Sequence, residues 1–240
     1  MARCRIDRLA YLPAPFRLAC EPSGPHMLRI NVGCGASPTP GWVNFDNSLT
    51  VRLARHQLIL RALAGLGLIG PEQCRFAAMV VRDGIRWANA VRRIPVPDGS
   101  AEIVYCSHML EHLERDSVLP FLAELRRALA PGGIIRLVLP DLRMRAERYL
   151  SDGDADAFVT STSMAVEPPR GIGGKLRWFV VGPRHHLWMY DGLSLLTLLS
   201  ASGFHGAVVL PAGETTITAP GDLNLREREE ESVYVEARRP

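Results

Sequence analysis

The stretch Leu28-Arg29-Ile30-Asn31-Val32-Gly33-Cys34-Gly35 constrains the rest of the chain most. Leu28, Ile30 and Val32 alternate, which suits a buried strand. The run then stops on two glycines, which let the backbone turn sharply and approach a ligand with no Cβ in the way. Asp46 closes a second short apolar stretch, Trp42-Val43-Asn44-Phe45, eleven residues after Gly35. A strand, a glycine turn and an acid at the tip of the neighbouring strand form an arrangement that holds a nucleoside. The glycines clear space and the carboxylate accepts hydrogen bonds from the ribose hydroxyls.

The two strands, about 28–32 and 42–46, are joined only by Ala36-Ser37-Pro38-Thr39-Pro40-Gly41. A parallel crossover normally takes about a dozen residues or more, so the usual first helix has shrunk to a turn if these strands are parallel neighbours. Residues 51–69 place Val51, Leu58, Leu63 and Leu66 near one face with Arg52, Arg55 and Arg61 between them, which predicts an amphipathic helix ending at Gly65 or Gly67, with Pro71 closing the segment. Basic amphipathic helices can lie on a membrane surface, but they more often pack on their own domain. Further strands are expected at Ile85–Ala90, Ala101–Cys106, Ile134–Leu139, Ala207–Leu210 and Ser232–Ala237. A helix carrying Leu119, Leu122, Leu125 and Leu129 is stopped by Pro131-Gly132-Gly133, and another over Leu193–Leu199 is capped by Asp191. Strands alternating with helices predict a parallel sheet with helices on both faces. Its ligands bind outside the carboxyl ends of the strands, where Gly33 to Gly35, Asp46, Asn89, Ser107 and Asp141 converge.

Residues 1–27 read as an irregular lead-in, Ser151 to Pro183 as an insert or mobile cover, and Arg226 to Glu231 as a solvated loop or hairpin shoulder. A net charge of +3 over 240 residues falls short of the basic footprint of a nucleic-acid binder. Five cysteines without a C-x-x-C pair favour reduced thiols in a cytosolic protein over a disulfide framework or a zinc site. The most apolar segment, Ile59 to Ile69, is far shorter than the roughly 20 residues of a membrane span.

From Leu28 to Leu139 the chain resembles the class I S-adenosylmethionine-dependent methyltransferases. It is closest to a small bacterial branch, methyltransferase type 11-like and often associated with polysaccharide biosynthesis. The motifs are Gly33-Cys34-Gly35, Pro40 to Asp46, Ile94 to Ser100, Leu110 to Leu113 and Leu129 to Gly133. His186-Leu187-Trp188-Met189-Tyr190-Asp191, Ala201 to Phe204 and Val233 to Ala237 extend the likeness to residue 237. The resemblance implies a Rossmann-like α/β sandwich with a mostly parallel seven-stranded sheet and an antiparallel C-terminal strand. It implies a single domain over 28–240, with a helical insert at 50–75 and a variable acceptor-side insert at 147–190. The abbreviated first helix belongs to that branch. The cofactor would be S-adenosyl-L-methionine, leaving S-adenosyl-L-homocysteine as product. Gly33, Cys34 and Gly35 would face its methionine end and Asp46, with Asn47, its ribose. Asn89 and Ala90 would lie near the adenine, at a position where the branch usually carries an acid, and Ser107 and His108 near the transferring methyl.

Methyl transfer from a sulfonium is an in-line displacement, and positioning alone can supply roughly 7–11 kcal/mol. A hydroxyl acceptor also needs a base, for which His108 and His186 are the candidates. His108-Met109-Leu110-Glu111-His112 also spells H-x-x-E-H, in which His108 and His112 on a helix could share a metal. The L-E-H-L match favours structural packing of Glu111 and His112, so no metal is expected. Cys34 and Cys106 adjoin strands and read as small buried thiols. Arg170, Lys175, Arg177, Arg184, His185 and His186 could attract an acidic acceptor. The N/D-P-P-Y signature of amino-methylating DNA enzymes is absent. The expectation is therefore a cytoplasmic methyltransferase acting on a small molecule or saccharide, with no nucleic acid as partner. The alternative is a non-catalytic module of the same fold acting through residues 51–69 on a partner or membrane.

Overall fold

The computed structural model of the chain describes residues 27–165, 171 and 185–240. The expected lead-in and the arginines and lysine of the basic cluster lie outside these residues. The strands are β1 (Leu28–Val32), β2 (Val43–Asp46), β3 (Arg86–Trp87), β4 (Ala101–Ser107), β5 (Leu129–Pro140), β6 (His205–Leu210) and β7 (Ser232–Arg238). They form one sheet in the order β3-β2-β1-β4-β5-β7-β6. The five strands from β3 to β5 run parallel, and β7 runs antiparallel to both of its neighbours. This is the architecture that the resemblance implies.

Alternation decides which residues face which layer. Ile30, Val32, Val104, Cys106, Ile135, Leu137, Val233 and Val235 turn to one face and form the main core. That face is covered by α4 (Arg115–Ala128) and α7 (Gly192–Ala201), through Val118, Phe121, Leu122, Leu125, Leu195 and Leu199. Leu119, expected on the inner stripe, is exposed because Val118 and Phe121 take that face. The opposite side chains, Ile103, Tyr105, Ile134, Val138 and Tyr234, pack under Trp42, Ile217 and Leu223 from the connecting segments. Asp191 caps α7 by accepting from the Ser194 N–H at 2.8 Å, as expected.

Several expectations need correction. Residues 51–69 form two short helices, α1 (Leu49–Leu53) and α2 (Gln57–Gly65), and Pro71 begins a third, α3 (Pro71–Arg82). A small separate core of Cys34, Val51, Ala54, Leu60, Ile69, Ala77, Val80 and Ile85 forces the break. Continuous helix from Val51 and Ala54 would bring Leu58 onto the buried face, and the turn at 54–56 re-phases the chain so that Leu60 points inward. Leu58 and Leu66 are left exposed. The third strand shrinks to two residues. Pro131-Gly132-Gly133 lies within β5, as an irregularity between the pairs Ala101–Leu129 and Ile103–Ile134. The insert is helical at its start, with α5 (Leu142–Asp152) and α6 (Ala155–Ser161). No helix among the described residues is long and apolar enough to cross a membrane.

Arg136 and Glu236 face each other across β5 and β7, both buried, with the guanidinium 2.6 Å from the carboxylate. Glu236 also accepts from the Thr215 hydroxyl and from the N–H and hydroxyl of Thr216, and Arg136 donates to the Glu214 and Leu225 carbonyls. This network holds residues 214–225 on the sheet. The 226–231 loop is correspondingly less free than its charge suggests. Glu227 accepts from the Tyr105 hydroxyl and Glu231 from Arg145, while Arg226, Arg228, Glu229 and Glu230 stay exposed.

Candidate active site

The carboxyl ends of β3, β2, β1 and β4 lie side by side, so Asn89, Asp46, Gly33–Gly35 and Ser107–His108 line one edge of the sheet. At the β1 end, the N–H groups of Gly33 and Cys34 both donate to the Phe45 carbonyl, which folds the chain back at once. Gly33 has φ +69° and faces Met109, whose Cγ would lie 2.5 Å from an added Cβ. Gly35 has φ +49° and open space where a Cβ would stand. Gly33→Ala is therefore expected to lose about 1–3 kcal/mol through backbone strain, plus the clash. Denaturant titration should show Gly33→Ala/Met109→Ala recovering only the Cγ part of the clash, since the Met109 Cβ would still lie 2.9 Å away.

Buried amides brace the loop that replaces the first helix. Asn31 donates to the Ser37 carbonyl and the Thr39 hydroxyl, and Asn44 pairs with both the N–H and the carbonyl of Thr39. Polar residues on otherwise apolar strands are the sequence signal for this pair. Asp46 accepts from the Gly35 N–H at 3.2 Å and the Ser48 N–H at 2.8 Å. A carboxylate has about four acceptor positions, so room remains for two ligand hydroxyls. The open space at Gly35 beside this half-used carboxylate fits the methionine and ribose portions of S-adenosylmethionine.

The other predicted cofactor residues divide. Asn89 sits at the β3 end, its side-chain oxygen accepting from the Val91 N–H. Asn47 is exposed, with its carbonyl bound by the indole N–H of Trp87. The Ala90 and Cys34 side chains are buried in the two cores, which leaves their main chains to serve a ligand. Burial, and next the charge of Asp46, pushes the Cys34 thiol far up; burial does the same for Cys106. Both are packing residues rather than nucleophiles. Asp141 spends its carboxylate capping α5 through the Arg143 N–H.

His108 follows β4 in the left-handed region at φ +48°, uncommon for a residue with a side chain, and its N–H is tied to the Val138 carbonyl. Its ring lies between Ser232 Oγ, 3.0 Å from Nε2, and Arg228 Nη1, 3.4 Å from Nδ1. Glu111 Oε1 is also 3.4 Å from Nδ1. His108 and His112 do not share a helix face, because residues 110–112 form a single 3₁₀ turn. His186 does approach: its Nε2 lies 4.0 Å from the same Glu111 oxygen, and its ring meets that of His112 edge-on. Burial lowers the His186 pKa, with Glu111 pulling the other way. The two predicted bases thus gather around Glu111, read from the sequence as packing. Trp188 and Tyr190, after His186, stack against Arg115.

A family model described as a methyltransferase domain matches residues 69–137. No curated protein matches the chain. Among solved structures, it is similar to an S-adenosylmethionine-dependent methyltransferase from Mesorhizobium loti, at 18% identity over 89% of this chain and 91% of that one, TM-score 0.44. It is likewise similar to a SAM-dependent methyltransferase from Methanosarcina mazei, at 15% identity over 90% and 93%, TM-score 0.48. A third is PigF with SAH, at 11% identity over 89% and 56%, TM-score 0.47. Residues 69–137 thus match a methyltransferase-domain family model, and they sit in a sheet whose strand order, reversed β7 and glycine-turn edge are those that the resemblance to the class I S-adenosylmethionine-dependent methyltransferases implies.

Proposed function

We propose that the acceptor is a hydroxyl of a small molecule, most specifically a saccharide, with His108 as the base. The observation carrying this reading is a cavity of about 600 Å³ whose lining, among the described residues, includes Arg145, Arg148, Tyr149, Phe158, Arg226 and Arg228. Arg228 both lines the cavity and contacts the His108 ring. Tyr149 and Phe158 lie with centroids 5.3 Å apart, an aromatic surface suited to the apolar face of a sugar ring, and the arginines alternate with Asp152, Asp154, Glu229, Glu230 and Glu231, a lining of donors and acceptors suited to a polyhydroxylated acceptor. S-adenosylmethionine supplies an electrophilic methyl group. Gly33 to Gly35 clear its approach, Asp46 receives the ribose hydroxyls, Asn89 meets the adenine edge, and the strained His108 backbone aims the ring toward the acceptor side. Arg228 beside Nδ1 and Ser232 beside Nε2 hold the His108 ring in place.

A role in polysaccharide biosynthesis in the cytoplasm, with no nucleic-acid acceptor, is part of the same proposal. Exposed Leu58, Ile59 and Leu66 beside Arg55 and Arg61 favour a peripheral membrane or partner contact as a second reading.

The test is transfer of labelled methyl from S-adenosylmethionine to a panel of saccharides, amines and nucleic acids. Label on a saccharide hydroxyl supports the reading. Label only on an amine, or only on nucleic acid, overturns it. His108→Asn is expected to lower kcat by about 10²–10⁴-fold and remove the acid limb of its pH profile. An unchanged kcat would remove His108 from the base role.

A further inference from the structure

Packing does not account for one cluster of side chains at this edge. Glu111 is fully buried, and neither carboxylate oxygen has a hydrogen-bond partner. A buried carboxylate is tolerated when it is paired or binds a metal. The nearest nitrogen, His108 Nδ1 at 3.4 Å from Oε1, faces the Arg228 guanidinium as well, and His112 Nε2 and His186 Nε2 each lie 4.0 Å from the same oxygen. Both rings have their other nitrogen committed. His112 Nδ1 lies 2.8 Å from the His185 carbonyl, and His186 Nδ1 lies 2.8 Å from the Thr162 carbonyl. A carbonyl oxygen only accepts, so each Nδ1 carries the ring proton and each neutral imidazole presents its Nε2 lone pair. Two lone pairs and a carboxylate then converge with no proton to share, which is repulsive unless a cation stands among them. Protonated rings would not satisfy the carboxylate, because 4.0 Å is too long for a hydrogen bond.

We propose that Glu111, His112 and His186 bind one divalent transition-metal ion, replacing the expectation that no metal is held. Two imidazoles and a carboxylate suit zinc and its neighbours in the first-row series, and three protein ligands leave a position open. The backbone carbonyls behind both rings supply the support that ligating histidines carry, fixing tautomer and ring direction. The ligand atoms all lie within 4.8 Å of one another. Tetrahedral zinc needs about 3.3 Å, which small side-chain rotations supply. The loop carrying His186 is also anchored on the acid it would share, since the Leu187 and Trp188 N–H groups donate to the Glu111 carbonyl at 2.8 and 3.2 Å. His108 is not counted as a ligand, because its Nδ1 accepts from Arg228. The half-buried edge of His112 gives an ion a way in.

The test uses the full chain, stripped with a chelator and titrated with Co²⁺ by absorption and with Zn²⁺ by calorimetry, with thermal unfolding alongside. One equivalent should bind, with a cobalt d–d spectrum from nitrogen and oxygen ligands and a raised unfolding midpoint. His112→Ala and His186→Ala should each weaken Zn²⁺ at least about 100-fold, no less than the loss of an outer support costs. Glu111→Gln gives a result that a merely structural acid would not: the stripped protein should melt higher than wild type, and added Zn²⁺ should no longer shift it. Failure of wild type to bind either ion below millimolar concentration would overturn the proposal, as would equal affinity in both histidine variants. None of these readouts needs a methyl acceptor, so the metal site and the proposed acceptor stand or fall separately.

Discussion

Asp46→Ala is expected to weaken S-adenosylhomocysteine binding by about 10²–10⁴-fold. Hydrogen bonds to a charged group contribute about 1.5–3 kcal/mol each, and the carboxylate has two acceptor positions left for the ribose after binding the Gly35 and Ser48 N–H groups. The substitution also frees those two N–H groups and so loosens the glycine turn. Asp46→Asn separates the two effects. An amide oxygen can replace one backbone acceptor, while the amide NH₂ faces the other donor and the charge is gone. Calorimetry with S-adenosylmethionine and S-adenosylhomocysteine should show both variants impaired, with Asn closer to wild type in thermal stability than Ala. Affinity within threefold of wild type in Asp46→Asn would show that the carboxylate charge does not hold the ribose.

The second large effect lies away from the site. Arg136→Met is expected to cost about 3–5 kcal/mol, because it leaves Glu236 charged, buried and held only by Thr215 and Thr216. Glu236→Gln should cost a similar amount by stranding the guanidinium. Acidification supplies a second check. Burial pushes the Glu236 carboxyl up, but the hydrogen bonds from Thr215, Thr216 and Arg136 outweigh it and hold the group below the usual carboxylate range. A carboxylate lower in the folded than in the unfolded chain stabilises the fold above its unfolded pKa, and that contribution is lost as pH falls through the folded value. Wild type should therefore lose stability below about pH 4, and Glu236→Gln should lack that part of the loss. Because the same network seats the segment leading to Glu227 and Arg228, kcat should fall with stability in Arg136→Met. Full activity in a destabilised Arg136→Met protein would show that Arg228 is positioned independently.

Local chemistry made much of this protein readable. The strand ending on Gly33 and Gly35, the short Pro-rich link to β2, the capping Asp191 and the largely apolar runs of β4, β5 and β7 each carry their own backbone or burial preference, and each stands where that preference puts it. The alignment of Gly33, Asp46, Asn89 and Ser107 along one edge followed, because strand ends in a parallel sheet fall on one side. The failures share one cause. Residues 51–69 have an unbroken helical period, yet the small core around Cys34 can take Val51, Ala54 and Leu60 only if the helix breaks between them. Nothing local records that constraint. Arg226 to Glu231 looked solvated because a charge run does not say that Tyr105 and Arg145 wait for two of its acids.

The sequence by itself determined the layered α/β sheet, the glycine turn and Asp46, because backbone freedom, periodicity and capping act over a few residues. Only the tertiary structure decided the rest. It laid the Glu236 carboxylate on Arg136, a hundred positions away, and set His186 beside Glu111 and His112 through backbone bonds between loops far apart in the chain. Electrostatics and hydrogen bonding act across space, and spatial neighbours of that kind leave no period to read.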